Sequence, residues 1–166
     1  MKTFKAGDTI VHPVRGAGTV VRLMERPRDG NNEVYYKVEL LAQPEISLMV
    51  PTSAVETLGL RHTIPQSQIK KVWRILHTDP TKLPDEHKKR YKVLEGKLHT
   101  GNIFQVAEAV RDMDWRQQRR GNLTTKERRL YNEGMNILAG EIAAVQGVDL
   151  IAAQNQIMEK LSEIQG

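Results

Sequence analysis

The placement of proline constrains this chain more than any other feature. All seven, Pro13, Pro27, Pro44, Pro51, Pro65, Pro80 and Pro84, fall within the first 84 of 166 residues. Proline lacks a backbone N–H and breaks helix interiors. The first part of the chain is therefore expected to be built from short extended segments, and the proline-free remainder is open to long helices. The overall balance, 39% hydrophobic and 27% charged, is that of a folded chain. No apolar run approaches the roughly 18 residues of a membrane span, and the first residues lack the apolar core of a signal peptide. No membrane association is expected, and the expected location is cytoplasmic. With no cysteine, disulfides, thiolate metal sites and cysteine nucleophiles are excluded.

Up to about residue 60 the β-branched residues cluster between turn signals. Thr9–Pro13 and Thr19–Met24 read as strands, with Gly16-Ala17-Gly18 as the turn between them. Residues 28–32, containing Asp29-Gly30, read as a hairpin loop. Strands are expected at Glu33–Leu40 and Ile46–Pro51, with a short fifth at Ala54–Leu58. Five short strands in so few residues predict a small, strongly bent Tudor- or SH3-like β-barrel over residues 1–63. Barrels this small leave an edge strand open for pairing.

From residue 64 to 166 the period becomes helical. Ile69, Val72, Trp73 and Leu76 stand at i, i+3, i+4 and i+7. Pro84, Asp85 and Glu86 suit the first turn of a second helix running to Leu98. Ile103, Val106, Ala107, Val110 and Met113 stripe a third helix, which Gly121 ends. Thr124 can cap a fourth, with Leu130, Met135, Ile137, Leu138 and Ile142 for packing. A fifth follows Gly147-Val148-Asp149, with Leu150, Ile151, Ile157, Leu161 and Ile164 turned inward. The fold class is α+β: a small barrel, then an all-α domain of about five helices.

Charge is unevenly placed. Residues 64–132 carry 16 basic and 8 acidic side chains, whereas residues 133–166 carry 1 and 5. A central positive block suits a polyanion, because clustered Lys and Arg displace counterions from phosphate. Its densest part is His87-Lys88-Lys89-Arg90-Tyr91-Lys92, a candidate phosphate rail on one helix. Arg116, Arg119 and Arg120 would extend it if the helices pack side by side.

Catalysis finds no foothold in the pattern. His12, His62, His77, His87 and His99 form no HxxxH pair, and phosphate-binding or nucleophile-elbow glycine motifs are missing. No enzyme activity, cofactor or metal is expected. Trp73 belongs to an apolar helix face, Trp115 suits either core or interface, and only one of Tyr35 and Tyr36 can face a barrel interior.

Several stretches, in order, resemble the CarD/CdnL-type bacterial transcription regulators. They are Phe4–Pro13, Gly16-Ala17-Gly18, Val50-Pro51, Val55–Arg61, Arg90-Tyr91-Lys92, Gly101-Asn102, Val106–Asp112, Arg120-Gly121 and Glu127–Leu130. The resemblance spans essentially the whole chain. It implies a Tudor-like domain that adds a strand to the β subunit of RNA polymerase, and a helical domain that contacts upstream promoter DNA and stabilises the open complex. Ile46, Ser47, Leu48, Met49 and Val50 would supply the pairing edge, with Arg26 at an interface-arginine position. A second interface arginine of some members corresponds here to Met49. His87, Lys88, Lys89, Arg90 and Lys92 would form the DNA contact. The family's tryptophan wedge in the minor groove is replaced by His87, a smaller and better hydrated ring that should hold an opened base step less firmly. A monomer is expected.

Two other readings stay open at the level of sequence. One is a general nucleic-acid-binding protein whose barrel engages RNA or a ribosomal protein. The other is a Tudor-type reader of modified peptides, which needs converging aromatic rings, with Phe4, Tyr35 and Tyr36 as the available ones.

Overall fold

The computed structural model describes residues 3–163. Five antiparallel strands come first: β1 (Thr9–His12), β2 (Gly16–Arg28), β3 (Asn31–Leu40), β4 (Ser47–Pro51) and β5 (Arg61–His62), in the order β4-β3-β2-β1-β5. Six helices follow or interleave: α1 (Val55–Leu58), α2 (Ile69–His77), α3 (His87–Leu98), α4 (Ile103–Arg120), α5 (Thr125–Gln146) and α6 (Leu150–Glu163). The α+β class, a Tudor-like sheet followed by five C-terminal helices, is the one the sequence predicts.

The β2–β3 hairpin closes more tightly than its five-residue loop suggested. Arg28 stands opposite Asn31, and Asp29 and Gly30 both have positive φ, 52° and 82°. Two such residues match the right-handed twist of the flanking strands. The Gly16-Ala17-Gly18 turn is corrected: these residues belong to β2, opposite His12, Val11 and Ile10. The reversal falls on Pro13–Arg15, where the His12 Nδ1 accepts from the Val14 and Arg15 backbone N–H groups, each at 3.1 Å. Gly18 is demanded by close approach, since a Cβ there would lie 2.7 Å from the Glu39 carbonyl oxygen.

The fifth strand is also displaced. Residues 54–58 turn helically instead, because Gly59 adopts φ 77° and lets the Leu60 N–H reach back to the Val55 carbonyl. Val55 and Leu60 are thereby buried with Phe4, Ile10, Val20, Tyr36, Val38 and Val50. β5 then pairs with β1 at Val11 and Ile10.

The helical core gathers Leu76, Leu94, Leu98, Ile103, Met113, Leu138, Ile142 and Ile157. Trp73 packs only partly against it. Ile151, expected inside, is 68% exposed, being one position off the Ala153–Ile157–Leu161 stripe that α6 buries; Ile164 lies outside the described residues. Pro84, Asp85 and Glu86 precede α3 rather than forming its first turn. The Arg90 guanidinium takes up the Pro84 and Asp85 carbonyls from inside the fold, at 3.1 and 2.8 Å.

Sheet and helices share one seam. Arg61 on β5 makes two 2.8 Å bonds to the carboxylate of Glu141 on α5, which is fully buried and also accepts from the Ile64 N–H. Nearby, Gly140 faces Ala17 and Gly16 faces Ile137, so small residues let β2 approach α5 closely.

Candidate nucleic-acid and polymerase interfaces

Residue by residue, the basic run on α3 separates into two kinds. Arg90 is 3% exposed, one face of the helix being Arg90, Leu94 and Leu98, all buried. Its Nε donates to Glu127 at 2.6 Å, and Glu127 is itself 1% exposed. The second oxygen of Glu127 pairs with Arg116 at 3.4 Å. Arg90 is thus removed from the phosphate rail: an unpaired buried carboxylate is costly, and Glu127 claims the cation. His87, Lys88, Lys89 and Lys92 are exposed, and Lys89 makes only a loose 3.7 Å pair with Glu86.

Tyr91, half-buried, ties this helix to the start of α5. Its hydroxyl is 2.8 Å from the Thr124 hydroxyl, its ring tilts against His87 at 5.8 Å, and Lys126 lies 5.2 Å over its face. Lys126 also bonds Glu95 at 2.9 Å, a contact that holds the Glu95 carboxyl below its usual range. Of the later arginines, Arg119 lies over Trp115 at 5.3 Å and Arg120 comes within 3.9 Å of Asp85. Arg120 therefore brings the end of α4 beside the entry to α3. Trp115 is half-buried.

The loop that delivers His87 is pinned from below. Asp112 accepts from the Thr81 N–H and from the Arg111 Nε, both at 2.9 Å, and Arg111 also reaches the Ile75 carbonyl. These buried arginines, with Glu127, are what the sequence reading missed. Their signal was present only as charges inside apolar stripes, at Arg111-Asp112 and Glu127.

On the sheet, β4 is an outer strand, paired to β3 alone. Pro51 stands opposite Tyr35. Having no N–H, proline joins a sheet only where that position faces away from the ladder. Main-chain groups alternate along a strand, so the N–H and C=O of Met49 and Ser47 share that outward direction. Val50 is buried, Leu48 packs half-buried on the same core, and Met49 is half-buried on the opposite face with Ser47 exposed. Ile46 precedes the strand, its N–H held by the Gln43 carbonyl at 2.9 Å. Arg26 is exposed opposite Glu33, past the point where β4 ends, and Glu33 is held by Arg28 and the Tyr35 hydroxyl. Phe4 and Tyr36 are buried edge to face at 5.6 Å, with Tyr35 on the other face, so these three rings do not converge on an open cage.

Among the described residues no group of His, Asp and Glu could hold a metal ion, and no single helix is long and apolar enough to cross a membrane.

The fold is thus an antiparallel sheet with β4 as one outer strand, joined to a helical unit whose α3 carries exposed lysines. Residues 4–64 match the CarD-like/TRCF RID domain model and residues 71–158 match that of the CarD C-terminal domain. The chain belongs to the CarD family of transcription factors. Membership implies interaction with RNA polymerase. It is similar to the Bacillus subtilis (strain 168) protein named "Putative transcription factor YdeB", 26% identical over 145 residues, covering 87% of this chain and 94% of that one.

Proposed function

We propose that this chain regulates transcription by adding β4 to the β subunit of RNA polymerase while the exposed lysines of α3 contact upstream promoter DNA, altering the stability of the open complex. The outward main-chain groups of Ser47 and Met49 carry the reading, because a strand edge left bare is a template for another strand. On the helical side, Lys88, Lys89 and Lys92 lie on one exposed surface, and Lys126 stands beside it through Tyr91. Such a surface supplies affinity through phosphate contacts without reading bases. His87 lies in the first turn of α3, where the family's wedge would enter the minor groove. Arg26 is a flanking contact, beyond the ladder itself.

The test is strand-specific. Ser47→Pro removes one outward N–H and leaves the lysine face untouched. It is expected to abolish capture by core RNA polymerase while binding to duplex DNA stays unchanged. Unaltered capture by a variant with wild-type circular dichroism sinks the pairing.

A further inference from the structure

The side of α3 that carries Lys88 and Lys92 continues onto a second helix. Lys88, Tyr91, Lys92, Glu95 and His99 recur along it at helical spacing, and α5 lies alongside, running in the same direction. Three contacts join the two helices in order: the Tyr91 hydroxyl to Thr124, Glu95 to Lys126, and the His99 Nε2 to Glu133. Both carboxylates of this strip are therefore engaged. Lys88, Lys92 and Arg129 remain outward and exposed. Arg129 lies close enough to add, after Lys126 and His99, to the pull that holds the Glu95 carboxyl below its usual range.

Past Glu133 the strip meets the sheet. There Arg15 and Gln43 face Arg129, Glu133 and Asn136 across an open groove of about 450 Å³. Arg15 stands on the sheet side and Arg129 on the helix side, both exposed. Among the described residues no ion pair takes up either guanidinium. The backbone that presents Arg15 is fixed. Its N–H is bonded to the His12 Nδ1, and a Cβ on the next residue, Gly16, would lie 3.6 Å from the Ile137 Cα on α5. The β1–β2 turn is thus seated on α5, along the seam that Arg61 and Glu141 close. With the backbone already ordered, only the arginine side chain has to be immobilised when a ligand binds.

We propose that duplex DNA is gripped across this seam, its phosphates running from Lys88 and Lys92 past Lys126 to Arg129 and Arg15, so that the sheet module contributes directly to the DNA contact. This rests on the DNA half of the reading above and extends it to a module given there only to polymerase. Length supports it. From Lys88 to His99 the helix rises about 17 Å, or about five base-pair steps of a duplex, and the groove lies at the far end, where the next phosphates fall. Guanidinium forks suit phosphate oxygens, and such contacts position a duplex without reading its bases. With sheet and helices both on the duplex, the seam sets the direction of the DNA relative to β4.

The experiment measures affinity of the full chain for a mixed-sequence duplex of about 20 base pairs, without polymerase, by fluorescence anisotropy from about 50 to about 300 mM salt. Arg15→Gln and Arg129→Gln are each expected to weaken binding about five- to tenfold at about 100 mM salt and to flatten the log–log slope by about 0.9, the double variant by about 1.8. Arg15→Lys keeps the charge and should keep the slope. Arg74→Gln, removing an exposed cation on α2, which packs against α4 and α6, should keep it too. Both substituted arginines of the groove are exposed, so melting temperatures should match wild type. A wild-type slope in Arg15→Gln overturns the inference, whatever Arg129→Gln does, because the contact then ends on the helices. An equal loss of slope in Arg74→Gln also overturns it, since a diffuse field would then account for the binding. The two readings fail differently: a wild-type slope in Lys92→Gln strikes the α3 contact, whereas one in Arg15→Gln strikes only its extension across the seam.

Discussion

Arg61 and Glu141, 80 positions apart in sequence, meet in two parallel bonds of 2.8 Å. One residue belongs to the last strand of the sheet in sequence, the other to the C-terminal part of the longest helix. Glu141 also holds the Ile64 N–H, so a single buried carboxylate organises the passage from sheet to helices. The Arg61 Nε adds a bond to the Gly101 carbonyl at 2.6 Å, reaching the α3–α4 turn as well.

Removing Arg61 leaves the buried Glu141 carboxyl without its guanidinium partner. Arg61→Met is expected to cost about 3 kcal/mol in urea denaturation, the lower end for breaking a buried pair because Arg61 is partly exposed. The double variant Arg61→Met with Glu141→Leu should recover part of that loss. A double variant no better than the single would mean the pair is not the source of the penalty.

Arg90 and Lys92, two residues apart, are expected to fail differently. Arg90→Gln abandons Glu127 and the Pro84 and Asp85 carbonyls, and should lower stability by about 3–5 kcal/mol. Lys92→Gln should leave the melting temperature unchanged and flatten the salt dependence of duplex binding by about 0.9 in the log–log slope. Thermal melts alongside binding isotherms separate the two. A stable Arg90→Gln protein with weakened DNA binding would restore Arg90 to the contact surface.

At the head of α3, exposed His87 offers a small ring where a flat apolar one would wedge more firmly. On a linear promoter, His87→Trp is expected to lengthen the half-life of the open complex several-fold after a competitor challenge. An unchanged half-life removes the wedge from the account of this chain.

His12 gives the fold a pH dependence of defined sign. Its Nδ1 accepts two backbone N–H groups, and burial, followed by Arg15, lowers its pKa below the ordinary 6.5. The unfolded chain therefore takes up the proton more readily, so His12 favours folding above about pH 6.5 and that contribution fades as pH falls below it. Denaturation midpoints between about pH 7.5 and 5.5 should drop, and His12→Asn should shed part of the slope. A slope of the same size in that variant would assign the effect elsewhere.

What the sequence disclosed, and what it hid, follows from range. Gly121, Thr124 and Gly147 punctuate helices through bonds spanning a turn, and such signals are readable in place. Residues 54–58 misled because Val55 and Leu58 resemble a strand, while the deciding residue was Gly59, just beyond them. Arg90 misled for another reason. Flanked by lysines, it shares their charge, and its partner Glu127 is 37 residues on. Several of the residues that carry the family resemblance, Arg61, Arg90, Arg111-Asp112 and Glu127, turn out to be internal struts. The resemblance thus reports the scaffold more than the surface that scaffold presents.

Pro51 sets a stop. A strand paired there as proposed would zip along Ser47 and Met49 but find no further rung at the pyrrolidine ring, so the clasp would be brief in extent. A regulator fastened by the proposed pairing would be held through few main-chain bonds.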